Sequence, residues 1–333
     1  MTATRHFLDV DDLSCDELDS VLSLAAVPVA EAPQVLAGRG AALVFEKPSA
    51  RTRSSTEMAV VALGGHPVYI QGVEVGIDHR ETAEDVARTL ACFHAVLCAR
   101  VLDHRVLVRM AEALDAAAPA VGSPGTASSA LDDGDDVRIP PPVPVVNLLS
   151  DRAHPCQAIA DLLTLRQVFG DVEGRTVAYI GDANNVWRSL ALAAAMTGIR
   201  VRTASPEGYE PDADDLERIA RLGGDVEVTT DPVEAATGAD ALYTDVWTSM
   251  GQEEEQDLRR KAFAGFTIDD DLVARAAPDA VVLHCLPAHR GEEITAAVLE
   301  GPRSVVWRQA SNRMHAVRGL LAWLLTPAGG GTR

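Results

Sequence analysis

An α/β chain of two doubly wound domains, each a mainly parallel sheet flanked by helices with the active site in the cleft between them, is predicted by three observations. Apolar runs of four to six residues alternate with longer helix-period stretches, as in parallel sheets covered on both faces. Ten such runs are too many for one small sheet. At 333 residues the chain is long enough for two cores of ordinary size.

Taken in order, the expected strands are 41–45, 67–70, 95–99, 143–147, 176–180, 200–203, 226–229, 241–244, 280–284 and 304–306. The first of them, Ala41-Ala-Leu-Val-Phe45, has no polar residue to turn towards water, as a strand buried on both sides requires. Helical stretches are expected at 56–63, 82–92, 156–169, 189–197, 212–222 and 309–325. Pro155 suits a first helical turn, where its missing N–H has no partner to lose. We expect one domain over 1–149 and a second over 150–308, with the helix 309–325 packing back on the first. Residues 119–142 stand apart: a Gly/Ser-rich stretch, then Asp-Asp-Gly-Asp-Asp, then three prolines. Such a segment buries too little apolar surface to order itself and is expected as a flexible inserted loop.

The apolar fraction of 47% is that of a globular protein, and no run of about 18 apolar residues is present to span a membrane. Asp9, Asp11 and Asp12 occupy the place where a secretory leader has basic and then apolar residues, so a cytoplasmic location is expected. Cys15, Cys92, Cys98, Cys156 and Cys285 form no C-x-x-C pair, and reduced thiols are expected. A net charge of −20 argues against a nucleic-acid partner, because neutralising phosphates takes clustered Lys and Arg.

Against that negative field, basic residues recur at strand ends. In Phe45-Glu-Lys-Pro-Ser-Ala-Arg-Thr-Arg53, residues Ser49 to Arg53 fall at a strand-to-helix turn, where free N–H groups and the helix dipole favour an anion beside two guanidinium groups. Arginine's planar fork suits phosphate. An ordinary capped helix with solvated arginines explains the segment equally well. His154-Pro-Cys-Gln157 opens a helix with two donors for a carbonyl or phosphoryl oxygen, or is a simple cap. Gly181-Asp-Ala-Asn-Asn185 follows a strand end and is either a ligand turn or an Asx turn; it lacks the G-x-G-x-x-G of a dinucleotide site. Asp245-Val-Trp-Thr-Ser-Met-Gly251 offers a carboxylate for an ammonium and a loop able to move. His284-Cys-Leu-Pro287 is not a zinc site by spacing, since neighbouring residues on an extended segment point opposite ways. Arg100 and Arg313, each at an element end, complete the set, although either alone reads as a surface arginine.

Together these segments resemble the aspartate/ornithine carbamoyltransferase family, and its ornithine branch in particular. Ser49–Arg53 looks like the family's S-T-R-T-R loop, His154–Gln157 like its H-P-x-Q, and the D-x-W-x-S-M-G and H-C-L-P loops stand intact at 245–251 and 284–287. The resemblance implies transfer of a carbamoyl group from carbamoyl phosphate to the δ-amine of L-ornithine, giving L-citrulline and phosphate. It implies that Ser49, Ala50, Arg51, Thr52, Arg53, Arg100, His154, Gln157, Cys285, Leu286 and Arg313 bind carbamoyl phosphate. Asn185, Asp245, Ser249 and Met250 would then hold ornithine, with Arg100, His154, Asp245 and Cys285 catalytic. No metal or cofactor is expected, because carbamoyl phosphate is already activated, and a homotrimer or multiple of trimers is implied. Ala50 replaces the family's usual Thr, Gly76 stands where a Gln often reaches a neighbouring subunit, and the 119–142 loop is longer than usual. Acetylornithine or putrescine as acceptor, a non-catalytic ligand-binding paralogue and a nicotinamide-dependent dehydrogenase are the rivals; the missing glycine fingerprint disfavours the last.

Overall fold

The computed structural model describes residues 4–117, 143–248 and 253–326. The expected loop at 119–142 lies outside the described residues. In chain order the first part comprises α1 (Cys15–Ala26), β1 (Gly40–Phe45), α2 (Ala50–Ala62), β2 (His66–Gln71), α3 (Gly72–Val75), α4 (Ala83–Ala91), β3 (His94–Arg100), α5 (His104–Ala117) and β4 (Val145–Leu149). Next come α6 (Pro155–Phe169), β5 (Thr176–Ile180), α7 (Asn185–Met196), β6 (Arg200–Ala204), α8 (Ala213–Arg221), β7 (Val226–Thr229), α9 (Pro232–Ala236) and β8 (Ala241–Thr244). The chain closes with α10 (Gln256–Ala262), α11 (Asp270–Val273), β9 (Val281–His284), α12 (Ala296–Leu299) and α13 (Val306–Leu325).

Two parallel sheets result, ordered β2-β1-β3-β4 and β7-β6-β5-β8-β9. Both are covered on both faces, and alternate residues show it. Ala41, Leu43 and Phe45 enter one core while Ala42 and Val44 enter another with α4 and α5; Val177 and Tyr179 share the first core while Ala178 and Ile180 face a third. The first core runs without a break from the first sheet through α1, α6 and α13 to the second sheet, so the two sheets are joined by packed apolar side chains. Asp9 and Asp11, before α1, also pair with Arg218 of α8.

The expected strand at 304–306 is a correction. Ser304 makes a single bridge to Val282, and the chain then turns into α13, which begins at Val306, three residues before the expected start at 309. The apolar pair Val305-Val306 reads as a strand only locally. Val305 N–H satisfies Val282 O, and the following residues pay for their backbone groups within a helix.

Gly319 marks the closest approach of α13 to α1. A Cβ there would stand 2.6 Å from both Ala25 N and Val21 O. Backbone cannot yield as a flexible side chain can, so Gly319→Ala is expected to destabilise the fold by about 1–3 kcal/mol despite alanine's better helix propensity. Calorimetric melting checks this; an unchanged or raised Tm contradicts the packing described.

Candidate active site

Parallel strands leave their carboxyl ends on one edge, where ligands of open α/β sheets bind. Here β1 delivers Ser49, Arg51 and Thr52, β3 delivers Arg100, β4 delivers His154, β5 delivers Asn184 and Asn185, β8 delivers Asp245 and β9 delivers Cys285 and Leu286. All of these, with Arg313 of α13, line one cavity of about 840 Å³ between the two sheets.

The anion side is built around Thr52. Ser49 caps α2 by accepting from Thr52 N–H at 3.3 Å, which fixes the first helical turn. Thr52 Oγ1 accepts from Ser49 Oγ at 3.1 Å, Arg313 Nη2 at 2.9 Å and Arg100 Nη1 at 3.5 Å. Two long arginines from distant elements are thereby gathered on a threonine hydroxyl beside a helix N-terminus. Burial, with the guanidiniums of Arg313 and Arg51 next to it, pushes Arg100 down to about 10, so it stays charged at neutral pH. Burial and the same kind of crowding drive His154 well below the ordinary imidazole range, leaving it neutral. Arg100 Nε, Arg313 Nε and His154 Nδ1 are buried with no hydrogen-bond partner. The two guanidinium N–H groups are buried donors without a protein partner, and beside a cavity such donors suit an anionic ligand.

The other side is built around Asp245. Its Oδ1 accepts from Val246 N–H at 2.8 Å and from the Cys285 thiol at 2.7 Å, and its Oδ2 from Asn184 Nδ2 at 3.0 Å. Burial first, then the Asp245 carboxylate, pushes the Cys285 thiol well above its usual range. Cys285 is therefore a hydrogen-bond donor here, not a thiolate nucleophile. Iodoacetamide at pH 8 is expected to label the exposed Cys15 and Cys92 and to spare Cys285. Peptide mass mapping checks this, and rapid labelling of Cys285 contradicts it.

Three expected site residues are placed differently. The Arg53 guanidinium bonds Glu57 at 2.8 Å and lies over the Tyr69 ring at 3.8 Å, away from the cavity, because the helical period carries it round from Arg51. Arg51 is thus the only one of that pair lining the cavity. Ala50 is outside the lining as well, and Gln157 lies behind the wall, accepting from Arg313 Nη1. Ser249 and Met250 lie outside the described residues.

Sequence reasoning missed Lys47, Asp182, Asn184, Tyr209 and Arg259, all of which line the cavity. Lys47, Asp182 and Asn184 sat inside segments already singled out. Arg259 carried no local signal: it reaches the site from α10 by bonding Asp182 at 2.7 Å and stacking over Tyr209. Among the described residues, two groups of possible metal-ligating side chains occur, Asp245–His284–Cys285 and His289–Glu292–Glu293. Donors of the protein already hold them: Cys285 and Asn184 on Asp245, Arg260 on Glu292, and His284 with the His289 N–H on Glu293.

Comparison with known proteins agrees with this geometry. Residues 5–167 match the model of the aspartate/ornithine carbamoyltransferase carbamoyl-P binding domain, and residues 173–324 that of the Asp/Orn binding domain. An ornithine carbamoyltransferase of Acidothermus cellulolyticus is 49% identical over 98% of both chains. Among solved structures, the ornithine carbamoyltransferase of Thermus thermophilus superposes with a TM-score of 0.82 at 42% identity, over 98% of this chain and 100% of that one. That of Pyrococcus furiosus gives 0.83 at 40% identity over 96% of each chain. With two family models covering most of its length and a relative nearly half identical from end to end, the chain belongs to the aspartate/ornithine carbamoyltransferase family.

Proposed function

We propose that this chain transfers the carbamoyl group of carbamoyl phosphate to the δ-amine of L-ornithine, releasing L-citrulline and phosphate. The observation that carries the reading is the single cavity in which a guanidinium-rich anion cradle faces a hydrogen-bonded Asp245–Cys285 pair. The relatives named ornithine carbamoyltransferase support the acceptor.

Carbamoyl phosphate's phosphoryl end belongs with Ser49, Arg51, Thr52 and Arg313. Its carbonyl belongs with Arg100 and His154. Ornithine's δ-amine has a pKa near that of lysine, about 10.4, so on the order of one molecule in a thousand is the neutral nucleophile at pH 7. Asp245 accepts from that amine, with Cys285 and Asn184 holding the carboxylate in register, while Asn185 serves the α-amino and carboxylate end. The amine lone pair attacks the carbamoyl carbon and the C=O electrons move onto oxygen. Arg100 and neutral His154 donate to that oxyanion. The carbon–oxygen bond to phosphate then breaks as the carbonyl reforms, and phosphate departs with the amine's proton.

Carbamoyl phosphate is water-labile, so it binds first and ornithine follows. Self-association of the first-sheet part accounts for Met58, Val61 and Phe93, apolar side chains left more than half exposed there; we assign a homotrimer. No helix among the described residues is long and apolar enough to cross a membrane, and we assign the cytoplasm. An anabolic role in arginine synthesis follows the relative from Pyrococcus furiosus, which is named anabolic. Incubation with carbamoyl phosphate and, side by side, ornithine, acetylornithine or putrescine tests the reading. It expects citrulline from ornithine and little product from the others; no citrulline, or a preferred different acceptor, overturns it.

A further inference from the structure

Beneath the cavity lies a carboxylate that does not line it. Asp161 sits one helical turn after Gln157 on α6 and is wholly buried. Its Oδ1 accepts from Gln157 Nε2 at 2.7 Å and from Gln309 Nε2 of α13 at 2.7 Å, and its Oδ2 from Tyr243 OH of β8 at 3.1 Å. Each donor stands next to a wall of the site. Gln157 turns its carbonyl to Arg313; Gln309 turns its carbonyl to the N–H of His284, at 2.9 Å, immediately before Cys285; Tyr243 is two residues before Asp245.

A carboxylate can only accept. An amide beside it must present its NH₂ group, and its carbonyl is then forced to the opposite side. Both glutamines would otherwise be free to rotate by half a turn, which would aim an NH₂ at a guanidinium or at a backbone N–H. We propose that Asp161 is a positioning residue for the transfer reaction, fixing which way the Gln157 and Gln309 amides face and through them holding Arg313 and the His284–Cys285 segment. Burial pushes the Asp161 carboxyl up to about 6, while the two amides and Tyr243 hold it back, which leaves it ionised at neutral pH. An ionised carboxylate buried this deeply is retained at a cost unless its donors repay it, and here all three donors converge from separate elements.

The inference rests on the carbamoyl-transfer reading, since the residues held are those given to carbamoyl phosphate and to the acceptor. The test compares Asp161→Leu and Asp161→Asn with the native chain in steady-state citrulline formation, alongside melting and oligomer size. Leucine has nearly the shape of aspartate and removes every acceptor; asparagine keeps one oxygen for the two amides. The expected result is a folded D161L in which kcat/KM for carbamoyl phosphate falls about a hundredfold, the ornithine KM moves least, and D161N regains at least tenfold of the loss. Native constants in folded D161L, or D161N no better than D161L, overturn the proposal. Should D161L not fold, D161N against native decides: a several-fold higher KM for carbamoyl phosphate supports the proposal, and unchanged constants overturn it. Failure of the native chain to form citrulline would instead sink the functional reading itself, so the two failures are distinguishable.

Discussion

Arg100→Met is expected to lower kcat by about 10²–10³, the loss of one preorganised donor to a developing oxyanion, or roughly 3–4 kcal/mol of barrier. Methionine fills much of the space of arginine's stem, so the wall should keep its packing. The charge is what disappears. Arg100 is held by Thr52 Oγ1 and is buried beside Arg51 and Arg313, so its guanidinium needs no rearrangement to meet negative charge as it forms. Steady-state rates measured with both substrates saturating isolate this effect from binding. The KM for carbamoyl phosphate should also rise, but less than kcat falls. A variant whose whole loss lies in KM would mean that Arg100 binds ground state and transition state alike.

Asp245→Asn should fall on the other substrate. Three donors converge on the native carboxylate: the Val246 N–H, the Cys285 thiol and the Asn184 amide. An asparagine must put its own NH₂ in front of at least one of them. Breaking one partner of a buried, hydrogen-bonded charged group costs about 2–5 kcal/mol, which is roughly thirtyfold to several thousandfold in kcat/KM for ornithine. The KM for carbamoyl phosphate should stay within about threefold, because the Thr52 cluster that gathers Arg100 and Arg313 does not include Asp245. Varying each substrate at a saturating level of the other tells the two apart. An equal penalty on both would contradict the division of the cavity into a phosphate side and an amine side.

The fold was legible because parallel strands buried on both faces write themselves as unbroken apolar runs. Thr176–Ile180, Val226–Thr229 and Ala241–Thr244 were found at the residue. The 304–306 run misled because two valines followed by Trp307 look alike at a strand's end and at a helix's start. Within the site, Asp245 directly follows its strand and Ser49, Arg51 and Thr52 lie in the turn and first helical residues after theirs, so their place at the carboxyl edge of the sheets was legible from position, though not that a ligand rather than water meets them. Arg53 failed for want of one rotation: two residues along a helix is about 200°, so it cannot share a face with Arg51. Arg259 and the Asp161 network were invisible. Their partners lie far away in sequence, 77 residues for Asp182 and 148 for Gln309, and nothing local marks such a meeting.

Calorimetric titration with a bisubstrate analogue, a phosphonate in place of the phosphate joined through a carbonyl to ornithine's δ-nitrogen, reads the convergence of both ligands most directly. One molecule per chain should bind far more tightly than phosphate or ornithine alone, and Arg51→Ala and Asp245→Asn should each weaken it. Binding no tighter than that of either fragment, or insensitivity to one of the two variants, would mean that the cradle and the Asp245–Cys285 pair do not serve a single reaction.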